Sequence, residues 1–127
     1  MLTVHVESGA VPHAQTVTVR HHTLVADELP SLGGQDAGFN PGELLLAAVG
    51  SCVAITIRMY AGRKGWDLQH VAVDLTGRDE SGVYVIERKL TFTGSLDDEQ
   101  RARLADIAGR CPVSKRVTGP VEIRGVA

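Results

Sequence analysis

The sequence predicts a single domain of the α+β class over residues 1–127. Three short segments in which apolar and polar residues alternate fill the first 26 positions. A long apolar helical segment follows, and then two more alternating segments separated by a turn. The length of 127 residues suits one domain, and the 43% apolar and 22% charged residues are typical of a folded globular protein.

Three strands are predicted ahead of the first helix. Val4 and Val6 alternate with polar residues, residues 15–20 alternate again, and residues 22–26 form a third segment of this kind. Alternation with a period of two and β-branched residues is the pattern of a half-buried strand. A loop rich in glycine and proline is expected at 29–39.

The longest helix is predicted to begin at Asn40 and Pro41. Asparagine is a preferred N-cap, and proline suits the first helical position because its missing N–H is not needed there. Glu43 follows at the third helical position, where a carboxylate suits the helix dipole and completes a capping box. The helix is expected to end near Gly62 or Gly65, after basic residues that favour a C-terminal end.

Apolar side chains surround this helix from Leu44 to Ile57. A helix that is apolar on every side is covered on every side, and a chain of 127 residues has little material for that. We therefore expect a second subunit to cover it. The apolar run of 14 residues is shorter than the 20 or so that a membrane span needs, so no membrane partner is expected.

A hairpin, a second helix and a closing strand are predicted after the long helix. Residues 71–75 and 83–93 are the expected hairpin strands, with their turn at 78–82. The second helix is predicted over 95–109, because residues 95 to 98 resemble a capping box and an apolar stripe follows at helical spacing. The closing strand is predicted at 121–124.

Charge and composition exclude several classes of partner. A net charge of −2 gives no electrostatic reason to expect nucleic acid or an anionic membrane. Residues 1–7 lack the regions of a signal peptide, so we expect a cytoplasmic protein with reduced thiols. The five histidines show no ligand spacing and there is no C-x-x-C motif, so no metal is expected.

The two cysteines are the strongest functional signal. Cys52 lies in the apolar helix, and Cys111 lies 59 positions later at the end of the second helix. A thiol in a core helix, matched with a single distant thiol, suggests a peroxidatic and resolving pair. Two inert core cysteines are the alternative, because free cysteine is among the most buried residue types.

The chain resembles the OsmC/Ohr family at three places, which occur in the family's order. They are Asn-Pro-Gly-Glu-Leu-Leu-Leu-Ala-Ala-Val-Gly-Ser-Cys at 40–52, Arg-Cys-Pro-Val-Ser-Lys at 110–115 and Gly-Pro-Val-Glu-Ile at 119–123. The resemblance implies a β(3)-α-β(2)-α-β subunit with a buried central helix, in an intertwined homodimer.

The peroxidase branch of that family reduces organic hydroperoxides. By the resemblance, Cys52 is the peroxidatic thiol and Cys111 the resolving thiol. The Cys52 thiolate would become a sulfenic acid, Cys111 would condense with it to a disulfide, and an external dithiol would reduce that disulfide. The expected partners are a small organic hydroperoxide and a thiol reductant, with no bound cofactor.

The glutamate and arginine that assist the thiol in the peroxidase branch have no aligned counterparts in this chain. That branch places a glutamate directly after the helix-starting proline, where this chain has Gly42, and an arginine in the N-terminal strands, whereas residues 2–19 contain none. Glu43 lies one position after the place of that glutamate. It either assists the thiol or is an ordinary carboxylate at the N-terminus of a helix. Arg88 lies on an otherwise apolar strand face, where it either approaches a thiol or forms a buried or interfacial ion pair.

Three functional hypotheses follow from these observations. The first is a thiol-dependent peroxidase with Cys52 and Cys111 as its reactive pair and Glu43 and Arg88 as helpers. The second is a non-catalytic or redox-sensing dimer that binds an apolar ligand in the same cleft. The third is a purely structural dimer with inert thiols.

Overall fold

The computed structural model describes residues 1–126 and confirms the α+β class. The chain divides into two compact units, Met1–Leu45 and the residues from Leu46 onward, and the single domain stays a prediction. In chain order the elements are β1 (His5–Ser8), β2 (Gln15–Val19), β3 (His22–Ala26), a 3-10 helix (Pro30–Leu32), α1 (Pro41–Lys64), β4 (Asp67–Glu80), β5 (Val83–Ser95), α2 (Asp98–Ala108) and α3 (Pro112–Val117).

The first unit contains the three predicted N-terminal strands as one antiparallel sheet in the order β1-β2-β3. His5 pairs with Thr18, which sets the register of the first two strands. Val19 pairs with His22, so the connection from β2 to β3 is only two residues long. Arg20 enters this turn with a φ of 53°, in the left-handed region that tight hairpin turns require.

Asp27 organises the loop that follows β3. Its side chain is buried, and its carboxylate oxygens accept backbone N–H groups from Glu28 at 2.8 Å, Ala37 at 3.1 Å and Gln35 at 3.2 Å. The hydrogen bond from Glu28 is the main cause that lowers the pKa of this carboxyl below its usual 3.8, and the bonds from Ala37 and Gln35 lower the pKa further. The ionised carboxylate thus holds both ends of the loop.

We expect Asp27→Asn to lower the melting temperature near neutral pH. An amide has one acceptor oxygen, so its NH2 group would face a backbone N–H that needs an acceptor. Because the pKa of Asp27 is lower in the folded state, its contribution to stability is present above pH 3.8 and is lost as the pH falls through the folded-state pKa. Melting curves by circular dichroism from about pH 7 to about pH 3 measure both effects.

The exposed Asp36 in the same loop provides the matched control. Asp36 has a φ of 53°, which asparagine adopts readily, so Asp36→Asn should leave the melting temperature close to that of the wild type. Equal melting temperatures for Asp27→Asn and wild type at neutral pH would contradict the role given to the Asp27 carboxylate.

The second unit contains the predicted hairpin, which is longer than expected. Glu80 pairs with Val83, leaving Ser81 and Gly82 as the two turn residues, both with positive φ. The first strand was predicted only over 71–75, whereas β4 begins at Asp67 and continues through the polar residues after 75. They still pair along β5, and Arg78 supports the pairing through ion pairs with carboxylates on both strands.

The core of this unit is formed by α1, the hairpin and α2. Val53, Ile57 and Leu104 are fully buried, and partly buried residues of both hairpin strands pack against them. The predicted apolar stripe of the second helix is confirmed, because its four members are buried: Leu104, Ile107, Ala108 and Cys111.

Three sequence predictions about the C-terminal third are wrong in detail. The N-cap of α2 is Asp97, whose side chain forms a reciprocal capping box with Gln100, so the cap lies after Ser95. Cys111 was expected at the end of the second helix but is the N-cap of α3, because the proline at 112 suits the first position of a helix. The closing strand at 121–124 is not formed, since a strand needs a hydrogen-bonded neighbour and no described strand pairs with these exposed residues.

The helix α1 is buried on one face and exposed on another. Five residues form the buried face, namely Val49, Gly50, Val53, Ile57 and Ala61. Ile55 and Met59, by contrast, are 59% and 51% exposed. The prediction of burial on all sides is therefore not met within one chain.

The helix α1 has the predicted bounds, from Pro41 to a point near Gly62 or Gly65. At 24 residues it is long and apolar enough to cross a membrane by length and composition alone, although core helices of soluble proteins meet the same criterion. The prediction that no membrane is a partner rested on the apolar run of 14 residues within this helix.

Candidate functional site

Cys52 lies in the middle of α1, at the border between its buried and exposed faces. The preceding turn contributes Val49 to the buried face, and the next residue, Val53, is fully buried. Ser51 and Ile55 on the other side are exposed. The Cys52 side chain is half-buried and packs against the hydrophobic core of the second unit.

Close packing fixes the position of α1 on the hairpin near this cysteine. A Cβ atom placed on Gly50 would lie 2.5 Å from Cδ1 of Leu75, a distance that real side chains do not adopt. Glycine at this position therefore lets the leucine of β4 rest against the helix backbone. The contact lies two residues before Cys52.

Cys111 is fully buried at the start of α3 and belongs to the same hydrophobic core. Its Sγ accepts the backbone N–H of Ser114 at 3.3 Å and lies 2.6 Å from the Ser114 hydroxyl. Both cysteines are free thiols. The fold thus gathers into one core two thiols that lie 59 positions apart in the sequence.

Arg88 is exposed. It lines a cavity of about 110 Å³ together with Val49, Ile86, Ser114, Val117 and Thr118. Its Nη2 atom lies 3.9 Å from where a Cβ of Gly109 would stand, two residues before Cys111. Arg88 is therefore not buried, and it shares a cavity wall with the serine that bonds the second thiol.

Glu43 is exposed in the first turn of α1, as predicted, and completes a capping box with Asn40. Its carboxylate accepts the backbone N–H of Asn40 at 2.9 Å, and the Asn40 side chain accepts the N–H of Glu43 at 2.8 Å. This pair satisfies two N–H groups that have no partner within the helix. These two hydrogen bonds explain the predicted role of Glu43 at the start of the helix.

Ser114 contacts Cys111 and was not among the predicted site residues. It stands three positions after Cys111, with Pro112 at the first helical position. That spacing matches an N-cap and its N3 residue, with a cysteine in place of the usual serine or aspartate. The proline directly after the cysteine is the signal from which the contact could have been predicted.

A separate depression on the surface surrounds the aromatic pair Tyr60 and Trp66, and it contains neither cysteine. It has a volume of about 710 Å³ and is lined mainly by polar residues of α2. The Tyr60 hydroxyl accepts a hydrogen bond from Nε of Arg103 at 3.0 Å, and that bond lowers the pKa of the phenol. Within residues 1–126, no group of three or more residues is arranged to hold a metal ion.

The fold and site define a small α+β protein with two free thiols in a shared core. The chain belongs to the family of OsmC-like proteins, because the family model described as "OsmC-like protein" matches residues 33–124. No protein of curated function matches the sequence significantly.

Solved structures of this family share the fold of the chain. The OsmC-like protein from Mycoplasma pneumoniae has a TM-score of 0.79 at 16% identity, covering 94% of this chain and 88% of its own. The organic hydroperoxide resistance protein OsmC from Legionella pneumophila has a TM-score of 0.64 at 22% identity, covering 94% and 90%. The organic hydroperoxide resistance protein OhrB of Bacillus subtilis has a TM-score of 0.63 at 20% identity, covering 94% and 91%.

Proposed function

We propose that this protein reduces organic hydroperoxides with Cys52 as the peroxidatic thiol and Cys111 as the resolving thiol. The observation that carries the proposal is that both thiols of the chain, distant in sequence, belong to one hydrophobic core. The structures from Legionella pneumophila and Bacillus subtilis, which share the fold, are described as organic hydroperoxide resistance proteins.

The proposed chemistry has three steps. The Cys52 thiolate attacks the distal oxygen of the hydroperoxide, the O–O bond breaks, and the alkoxide takes a proton and leaves as an alcohol. The thiol of Cys111 then attacks the Cys52 sulfenic acid, forming a disulfide and releasing water. An external dithiol supplies two electrons and two protons, becomes a disulfide itself and restores both cysteines.

The apolar surroundings of Cys52 support an organic rather than an inorganic peroxide. The organic part of a hydroperoxide gains free energy when it leaves water for an apolar pocket, which hydrogen peroxide does not. Arg88 and Glu43 are kept as proposed helpers of the reaction. The position of Arg88 in a cavity wall beside Ser114 supports a role on the Cys111 side, and the capping box ties Glu43 to Asn40.

The active form is proposed to be a cytoplasmic homodimer. On α1, Ala48, Ser51, Ile55 and Met59 form an exposed stripe of small and apolar side chains at helical spacing. A second copy that covers this stripe would lie beside Cys52 and leave the thiol reachable by the peroxide. The dimer would thereby bury the apolar side chains of the helix that a single chain leaves exposed.

The test of the proposed function uses the reduced wild-type protein. We expect it to consume cumene hydroperoxide in the presence of a dithiol. Intact-mass spectrometry after one equivalent of peroxide should show the loss of two hydrogens, as an internal disulfide requires. The proposal fails if there is no turnover and both thiols remain free after excess peroxide.

A second candidate function is a non-catalytic or redox-sensing dimer that binds an apolar ligand in the same cleft. It is favoured by the capping box, which engages the carboxylate of Glu43, and by the lack of arginine in residues 2–19. Thiol alkylation at neutral pH distinguishes the two candidates. A peroxidase should have one thiol that reacts rapidly, whereas a binding protein should have two that react slowly.

A further inference from the structure

Ser114 directs two hydrogen-bonding groups at the sulfur of Cys111. Its backbone N–H donates to Sγ at 3.3 Å, and its hydroxyl lies 2.6 Å from the same atom. The cysteine is fully buried, so water does not compete for these contacts. A thiolate can only accept hydrogen bonds, so both groups act as donors once this sulfur is charged. Donors that are already in place stabilise charge as it develops. Ser114 is thus positioned to stabilise negative charge on this sulfur.

The two sulfurs differ in their access to solvent. Cys52 is half-buried at the edge of the exposed face of α1, and Cys111 is fully buried. When a thiolate opens a disulfide, it bonds to one sulfur while the other leaves with the electron pair of the broken bond. The sulfur that is attacked must be reachable, and the sulfur that leaves must carry negative charge.

We propose that Ser114 makes Cys111 the leaving sulfur when a Cys52–Cys111 disulfide is reduced, so that the external thiol attacks Cys52. This inference rests on the proposed function, since it concerns the disulfide that function requires. The reductant thiolate bonds to Sγ of Cys52, the bond between the two cysteines breaks, and Cys111 leaves as a thiolate that Ser114 stabilises. The second thiol of the dithiol then displaces Cys52, and both cysteines regain their protons.

Arg88 also favours attack on Cys52 with Cys111 as the leaving sulfur. Its side chain lines the cavity that Ser114 also lines, so its positive charge lies on the side where the leaving thiolate forms. Thr118 lines this cavity as well, but its hydroxyl donates to the backbone carbonyls of Ser114 and Lys115. Thr118 therefore offers a matched control that removes a hydroxyl from the same wall and spares the sulfur.

The experiment forms the disulfide with diamide, a thiol-specific oxidant, so that it does not depend on peroxidase activity. The oxidised protein is treated briefly with the monothiol 2-mercaptoethanol and quenched with N-ethylmaleimide. Tryptic digestion separates the two cysteines, because Arg58 and other basic residues lie between them. We expect the mercaptoethanol adduct on Cys52 and the maleimide on Cys111.

The rate of reduction by dithiothreitol tests the role of Ser114. We expect Ser114→Ala to slow it by about tenfold, the effect of one hydrogen bond to a charged group. Ser114→Thr, which keeps the hydroxyl, should restore the rate, and Thr118→Ala should not change it. If Ser114 were only a structural part of the helix cap, replacing it would not change which sulfur is attacked. The rates of reduction of Ser114→Thr and Ser114→Ala would then be the same.

Three results would overturn the inference: an adduct on Cys111, an unchanged rate in Ser114→Ala, or the absence of an internal disulfide after diamide. An adduct on Cys111 in the wild-type protein would overturn the inference even if Ser114→Ala fails to fold. Failure of the proposed function is a separate result. In that case diamide would form the disulfide with the expected adduct pattern, but cumene hydroperoxide would not be consumed.

Discussion

Replacing Cys52 with serine is expected to abolish hydroperoxide turnover, with a loss of more than about a thousandfold, as when an essential nucleophile is removed. The alcohol that replaces the thiol is a far weaker nucleophile at neutral pH and cannot form a sulfenic acid. The substitution is nearly isosteric at a half-buried position, so the fold should be retained. Consumption of cumene hydroperoxide with dithiothreitol as reductant measures the effect.

The variant Cys111→Ser should behave differently. It keeps the attacking thiol, so we expect one equivalent of peroxide to be consumed rapidly and a sulfenic acid to accumulate at Cys52. Ser51→Ala serves as the control next to the nucleophile, because the Ser51 hydroxyl donates to carbonyls of its own helix, those of Ala47 and Ala48. Full activity in Cys52→Ser would exclude Cys52 as the peroxidatic residue.

Replacing Ile55 with glutamate is expected to dissociate the proposed homodimer. The side chain is 59% exposed in the single chain and stands in the exposed stripe of α1. In a symmetric dimer that covers this stripe, the substitution buries two unpaired charges, at a cost of about 3 kcal/mol or more each. Together these costs weaken association by about ten-thousandfold, which light scattering at micromolar concentration detects as a monomer.

Leu32→Glu is the matched control for this change. Leu32 is also an exposed apolar residue, at 63%, but it lies in the 3-10 helix outside α1. This variant should keep the dimeric mass of the wild type. The dimer proposed through α1 would be refuted by a wild-type monomer, or by a dimer that persists in Ile55→Glu.

Local sequence patterns predicted the elements whose signals lie within a few residues. The alternation of Val17 and Val19 with polar residues predicted β2, and the cap at Asn40 predicted the start of α1. The predicted apolar stripe identified the buried side of α2 correctly, and its last member, Cys111, is buried just after that helix. These features depend on nearest neighbours and on helical or strand periodicity, which a single sequence contains.

Predictions that depended on a partner were less successful. The segment at 121–124 has the alternation of a strand but lacks a hydrogen-bonded neighbour among the described residues. The full length of β4 was missed because its polar end is stabilised by β5 rather than by its own pattern. The role of Ser114 required knowing that a cysteine serves as the helix cap. The roles of Cys52, Cys111, Glu43 and Arg88 stay predictions.

The contact between Gly50 and Leu75 restricts how this sequence can diverge. A larger side chain at position 50 would require the end of the Leu75 side chain to move, whereas the side chain of Ser51 beside it is exposed. A substitution at position 50 is therefore coupled to the conformation of residue 75. Descendants of this protein that lose the glycine at position 50 should carry a change at position 75 more often than descendants that change position 51.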